Sequence, residues 1–347
     1  MTQPTQQGIA RELSISQFTV SLALRNDRRI SAATRKRVLA AAERLGYRAD
    51  PLVSALMARV RRGRKGAAAR GCIACLLVQP SKARLREQPS LERALKGARQ
   101  RAAQLGFGWE EFWLVDRPLR AARLADVLEA RGIHGVVLHP GEGLDESNVP
   151  ALSWDRYACA VLALLDRSLA GFHAASIAPF RHVELALQQA VAAGARSAGL
   201  ALPARYDRLL ERLYSGAMAS AAAFFPGLQV VPSHLPETWT RASFIAWWSR
   251  HRPDVVLTRS PEPLTWLKAT NQGAKVFCLH LGWHEGLGSA WAGIDPCAEA
   301  VGAACADLVI EQLLANERGM PAAPKMVLVG GCWRPGASLP ATFLKNK

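Results

Sequence analysis

The sequence predicts an all-α helix-turn-helix head joined to an α/β body of two lobes, each a doubly wound parallel sheet. Three observations lead there. Residues 5–45 hold three short helix patterns, the second and third introduced by the capping serines Ser16 and Ser31. Beyond about residue 71, short apolar runs alternate with amphipathic helices, which signals parallel sheets covered on both faces. A chain of 347 residues, half of them hydrophobic, exceeds one small domain and suits a head plus a lobed body.

The head begins with Gly8-Ile9-Ala10-Arg11-Glu12-Leu13 and a turn at Ser14-Ile15. Ser16 is placed to cap a second helix over Gln17–Leu24, its hydroxyl accepting from the otherwise unpaired amides of the first turn. Ile9, Ala10, Leu13, Ile15, Val20 and Leu24 then fall on facing sides, while Gln17, Phe18, Ser21 and Leu22 are left pointing outward. The alternative for Phe18 is partial burial against the turn. Ser31 opens a longer helix in which Val38, Ala42 and Leu45 repeat at helical spacing, and Gly46 is placed to end it.

Ile9-Ala10, Thr19-Val20-Ser21, Ala23-Leu24, Ser31-x-x-Thr34-Arg35-x-x-Val38, Ala41-Ala42, Leu45-Gly46-Tyr47 and Pro51 together resemble the DNA-binding head of the lactose-repressor (LacI/GalR) family, without gaps over these residues. The resemblance implies a double-stranded operator as partner. Gln17, Phe18, Ser21 and Leu22 would meet base edges in the major groove. Thr5, Ser16, Thr19, Ser31, Thr34 and Tyr47 would supply hydroxyl contacts, and Arg29 and Arg35 charge, to the phosphates. It also implies a hinge helix over residues 50–60, with Leu56 as a wedge pressed into the minor groove. The alternative there is an amphipathic linker packed on the body. Arg59, Arg61, Arg62, Arg64 and Lys65 favour the DNA reading, because a run of cations suits phosphates better than a protein core.

Charge supports a polyanion at that end. The chain carries +16, and residues 1–70 hold 15 Lys or Arg against 4 Asp or Glu, so about a fifth of the sequence contributes +11. The first residues are polar and no apolar stretch approaches about 20 residues, so neither a leader nor a membrane span is expected and the protein is placed in the cytoplasm. Seven cysteines in such a setting imply no disulfide framework. Cys72 and Cys75 lie three apart in a strand pattern and so face opposite sides, which reads as core rather than a metal pair. His280-x-x-x-His284 straddles glycines and is a poor metal grip. No catalytic motif or dinucleotide fingerprint is present in the right setting, and no cofactor or metal is expected.

In the body, strands are expected at 72–78, 108–115, 134–139, 158–164, 196–202, 228–232, 254–258, 275–281 and 326–329. Helices are expected at 89–105, 119–131, 179–194, 206–224, 241–250, 261–271 and 296–316. Trp247-Trp248 on one of these helices reads as core. The domains are then a head at 1–49, a hinge and basic linker at 50–65, and an effector and dimerisation body at 66–347. The body resembles the periplasmic-binding-protein-like domain of the same family. That resemblance implies three crossings between lobes, near 165–170, 291–295 and 325–330, with lobe one at about 71–165 plus 296–320 and lobe two at about 170–290 plus 328–347.

Ligands of such folds sit at the carboxyl ends of the strands. Position nominates Gln79, Ser81, Asp166, Arg212, Trp239, Ser260 and His280 as effector contacts, a set suited to a small polar metabolite such as a sugar. Ser260 and His280 depart from the residues that sugar-binding relatives carry there. The expectation is a dimeric, sequence-specific transcriptional regulator, a repressor in kind. The alternatives are a body that senses a protein partner or has lost its ligand, and a two-lobed α/β enzyme, which would leave the head unexplained. No leucine heptad follows the final strand, so a dimer is expected instead of a tail-assembled tetramer.

Overall fold

The computed structural model describes residues 5–24, 29–45, 47, 71–78, 81–116, 121–141, 150–162, 169–270 and 277–339. The expected hinge helix, with Leu56, lies outside them, as do Gly46, Gln79 and Asp166.

The head is three helices, each started by a side-chain cap. Helix α1 (Gln6–Leu13) is capped by Thr5, whose Oγ1 accepts from the Gly8 N–H at 3.1 Å. It ends at Ser14 in the left-handed region (φ 54), which turns the chain into α2 (Gln17–Leu24). Ser16 caps α2 by accepting from Thr19 N–H at 3.0 Å, and Ser31 caps α3 (Ala32–Arg44) by accepting from Thr34 N–H at 3.2 Å. Their shared core is Ile9, Ala10, Val20, Ala23, Val38, Ala41 and Ala42. Leu45, expected in that core, stays 39% exposed.

Lobe one is a six-stranded parallel sheet in the order β11-β5-β4-β3-β1-β2. Its strands are β1 (Cys72–Leu77), β2 (Gly108–Trp113), β3 (Gly135–His139), β4 (Ala158–Leu162), β5 (His173–Ile177) and, returning late in the chain, β11 (Met326–Val329). Alternate residues serve opposite faces. Ile73, Cys75 and Leu77 pack under α4 (Pro89–Gln104) and α11 (Ala298–Ala315), whereas Ala74, Leu76 and Val78 pack under α5 (Ala121–Ala130). Cys75 and Cys72 accordingly join different clusters, as the strand period requires.

Helices α4 and α11 meet at backbone contact. A Cβ on Gly302 would lie 1.8 Å from the Ala94 carbonyl oxygen, and one on Gly97 would lie 2.0 Å from that of Glu299, so only glycine fits at either point. The contact sets the start of α11 beside Arg93.

Lobe two is a second six-stranded sheet, ordered β12-β10-β9-β8-β6-β7. It consists of β6 (Ser197–Leu200), β7 (Gln229–Val230), β8 (Val255–Thr258), β9 (Phe277–His280), β10 (Ala292–Asp295) and the antiparallel edge strand β12 (Cys332–Arg334). Helices α6 (Pro179–Ala192) and α8 (Leu213–Phe224) cover one face, and α9 (Arg241–His251) and α10 (Glu262–Lys268) the other. Trp247 and Trp248 are core residues of the second face.

Two expectations need correction. The first crossing falls at Ala178, not near 165–170, because His173–Ile177 forms a strand of lobe one's sheet. That segment reads His-Ala-Ala-Ser-Ile and gives little apolar signal of its own; it is held by strands on both sides. Lobe one therefore comprises Cys72–Ile177 together with Ala298–Val329, and lobe two the segments between and after. The helix expected at 206–224 is also broken. A short α7 (Ala204–Arg208) ends before Glu211 and Arg212, both at positive φ, and α8 restarts at Leu213.

Candidate nucleic-acid interface and interlobe cleft

On the head, the caps leave one face of α2 open. Gln17 is exposed, Phe18 is 64% exposed and Ser21 is half-buried. A phenyl ring that free of protein contact departs from the alternative in which it folds against the turn. Leu22 is a correction: it was expected to point outward, yet it is 5% exposed and lies outside the cluster that forms the head's core. A branched apolar side chain loses free energy in water and takes available cover, so the open face is read from Gln17, Phe18 and Ser21.

The amino ends of α1, α2 and α3 each present unpaired amides and a hydroxyl, the arrangement that attracts an anion. Thr19 Oγ1 lies 2.8 Å from Ser16 Oγ, and Thr34 Oγ1 lies 2.9 Å from Ser31 Oγ, so the ends of α2 and α3 each carry a pair of hydroxyls. Tyr47 accepts a hydrogen bond from Gln6 Nε2 at 3.0 Å, tying the segment after α3 to α1. Arg35 donates to the Ile30 carbonyl at 3.2 Å, and Arg29 is exposed.

The described cleft candidates separate into groups. Ser260 and His280 lie at the carboxyl ends of neighbouring strands, where Thr258 pairs with His280. Both are buried and bonded locally: Ser260 N–H donates to Thr258 Oγ1 at 3.1 Å, and His280 Nδ1 accepts from Gly282 N–H at 3.1 Å. Burial, then Arg259 and His284, push the His280 imidazole down to about 3, so it is neutral near pH 7. Ser81 precedes a short 3-10 turn in lobe one, and Arg212 is exposed at the start of α8. Trp239 joins an aromatic group with His234, Phe244 and Trp266, and its buried indole N–H has no hydrogen-bond partner among the described residues.

Arg259 was missed, although it sits between the strand end and the nominated Ser260. Its guanidinium donates to Tyr214 Oη at 3.1 Å and lies 5.6 Å from the centre of the Tyr206 ring. After burial it is the chief charge lowering the imidazoles of His182 and His280. Asp295 was missed too. Its buried carboxylate accepts from Arg93 Nη1 at 3.0 Å, Arg334 Nη2 at 3.1 Å and Cys297 N–H at 2.9 Å. Burial alone would raise it; these donors hold it below the ordinary carboxylate value. Arg93 also grips Glu299 through Nε at 2.9 Å, so a helix of lobe one is clamped to the crossover leaving lobe two. No spacing in the sequence marks this clamp, whose partners are some 200 residues apart.

With that geometry in view, residues 5–50 match the family model described as bacterial regulatory proteins, lacI family. The head belongs to the LacI family. Behind this LacI-family head, the whole chain is similar in fold to solved structures. One is a transcriptional regulator CelR–cellobiose complex, 18% identical, covering 95% of this chain and 98% of that one with a TM-score of 0.54. Another is the Lac repressor dimer bound to operator and the anti-inducer ONPF, 16% identical, covering 98% and 100% with a TM-score of 0.53. The trehalose repressor from Escherichia coli, 15% identical, covers 77% of this chain and 100% of its own with a TM-score of 0.54. At such identities the likeness to the body is one of fold. No curated protein matches the sequence. No helix of the described residues is long and apolar enough to cross a membrane.

Proposed function

We propose that the protein is a sequence-specific DNA-binding transcriptional regulator that grips a palindromic operator as a dimer and answers to a small polar metabolite between its lobes. The observation that carries this reading is the LacI-family head, with Gln17 and Phe18 exposed on its second helix. Gln17 can bond an adenine edge, and Phe18 can rest on a thymine methyl. The capped helix ends, with Thr5, Ser16, Thr19, Ser31, Thr34, Tyr47, Arg29 and Arg35, set register on phosphates, and Leu56 acts as the minor-groove wedge. A regulator accounts for the head where an enzyme would not.

Dimerisation has a candidate surface. The edge strand β11 pairs only with β5 among the described strands and exposes Met326 and Leu328, with Leu314 and Met320 exposed nearby in sequence. Exposed apolar side chains on an open sheet edge suit an interface. Similar folds bind cellobiose in one structure and operator with ONPF in another, which supports a sugar-like effector. A second reading, a body without a sugar ligand, is favoured by His280, whose Nδ1 is already taken up by the Gly282 N–H and whose ring is buried.

Selection of bound sequences from random duplexes tests the main reading. A symmetric motif is expected, and the absence of any enriched sequence would defeat it. Calorimetry against a sugar and nucleotide panel separates the two bodies: heat from one compound supports the sensor, and silence from all of them alongside tight operator binding supports the second reading.

A further inference from the structure

Two cysteines that the proposed function leaves unused face each other at the junction of the lobes. Cys297 Sγ lies 3.4 Å from Cys332 Sγ and donates its S–H toward it. The residues are 35 apart in sequence and occupy different crossovers. Cys297 follows β10 and immediately precedes α11, on the segment that leaves lobe two for lobe one. Cys332 opens β12, directly after Gly330-Gly331, on the segment that returns. Strand pairing brings the segments together, since Cys332 is opposite Asp295 in the antiparallel β10–β12 ladder and Cys297 lies two residues further on. The backbone at Cys297 is left-handed (φ 54), which folds its side chain back over the ladder.

The remaining cysteines differ. Cys75, Cys159, Cys278 and Cys305 are buried and free, and Cys72 is half-buried on β1. Cys332 is exposed and Cys297 half-buried, so this pair alone among the described cysteines combines mutual contact with an opening to solvent.

We propose that Cys297 and Cys332 form a reversible thiol–disulfide switch that staples the second lobe crossover to the third and so restrains the hinge. The oxidant is hydrogen peroxide. Cys332, the exposed sulfur, attacks one peroxide oxygen as thiolate; the O–O bond breaks, an S–O bond forms, and with one proton the other oxygen leaves as water. The Cys297 sulfur then attacks the Cys332 sulfenic acid, the S–S bond forms, and hydroxide departs with the Cys297 proton as a second water. Two thiols lose two electrons in total and one peroxide gains them. Cys297 suits the resolving role: burial, the Cys332 contact and the Asp295 carboxylate push its thiol up to about 11, so it stays protonated until the sulfenic acid forms. Closing to a bond of about 2.05 Å requires the sulfurs to approach by little more than 1 Å.

The surroundings make the bond consequential. Gly331 has no room for a side chain, since a Cβ there would lie 2.3 Å from Ile294 Cγ2, and Asp295 is gripped by Arg93 of lobe one and Arg334 of β12. The bond would close a loop that encloses all of α11 and β11, including the whole late contribution of lobe one. Disulfides in reducing compartments are typically transient and sensory, in keeping with a contact between thiols at rest.

The test treats full-length protein with hydrogen peroxide, then blocks free thiols and maps peptides. The expected product is one intrachain link joining the Cys297 and Cys332 peptides, reversed by dithiothreitol. Amide exchange should slow in 292–297 and 330–334. Cys332→Ser should abolish both changes, and Cys297→Ser should leave Cys332 as a trappable sulfenic acid. Oxidised wild type without that link, or with a link only between chains, overturns the switch, as does a link with unchanged exchange. The regulatory consequence rests on the proposed DNA-binding function: oxidation should change operator affinity by about fivefold or more in wild type and leave both serine variants unmoved. Failure of the reduced protein to bind any duplex would count against the function alone, because the peptide map and exchange need no DNA.

Discussion

Position 22 shows how much one side chain can shift a DNA-binding face. Because Leu22 is buried, Leu22→Ala should cost the head about 2–4 kcal/mol of stability while leaving the preferred half-site unchanged. Urea melting and repeat selection would check it, and an altered motif with an unaltered midpoint would restore Leu22 to the groove. Gln17→Ala should relax preference at one base pair by about 1–3 kcal/mol with little loss of stability, measured by competition among single-base operator variants. Buried imidazoles set a pH dependence. Burial first of all lowers His139 to about 4, His182 to about 4 and His280 to about 3, against an unfolded value near 6.5. The unfolded chain then takes up protons first as pH falls, so stability is full above about pH 6.5 and drains away toward about pH 4. The urea midpoint should drop between pH 7 and pH 5, and His280→Gln should shrink that drop; an equal drop in the variant would remove His280 from the account. These residues were legible unevenly. The caps Ser16 and Ser31 could be read from type and position alone. Arg259 and Asp295 act through long-range contacts that no local spacing encodes.

At the scale of elements, strong periodicity was readable and weak composition was not. The long helix α11 and strand β1 announce themselves by apolar pattern, whereas β5, with two alanines and a serine, is a strand because of what flanks it. The break between α7 and α8 escaped notice because Glu211 and Arg212 are ordinary helix formers, held at positive φ in a turn where the Arg212 N–H donates to the Asp207 carbonyl at 2.7 Å. The α4–α11 contact yields a sharp expectation. Gly302→Val should lower the melting temperature of the body well beyond an exposed Gly-to-Val change on the same helix, since the new side chain would overlap the Ala94 carbonyl. Equal effects at both sites would mean that the two helices part without cost.

For the whole molecule, assembly is the property to measure. Leu328→Glu should turn a dimer into a monomer in sedimentation experiments while preserving the fold, because it places charge on an exposed apolar edge. Removal of residues 1–65 should leave a folded, dimeric body; a monomer would contradict the proposed assembly surface. Leu56→Ala should weaken cognate binding more than non-specific binding, and equal loss on both would refute the wedge. The two-lobed plan was legible from alternation of strands and helices. The first crossing was misplaced because it depends on one inconspicuous strand.

That β11 and α11 arrive from the far end of the chain has a consequence for synthesis. A nascent polypeptide that has delivered Cys72–Ile177 still lacks a helix and an edge strand for the first sheet, which appear only after all but the last strand of the second has been made. Until then part of the apolar surface of the first sheet stays uncovered, an invitation to chaperones or proteases. A ribosome that stalls before Ala298 would release a chain with a headpiece but no completed first lobe, and such a copy would lack the β11 edge proposed for pairing.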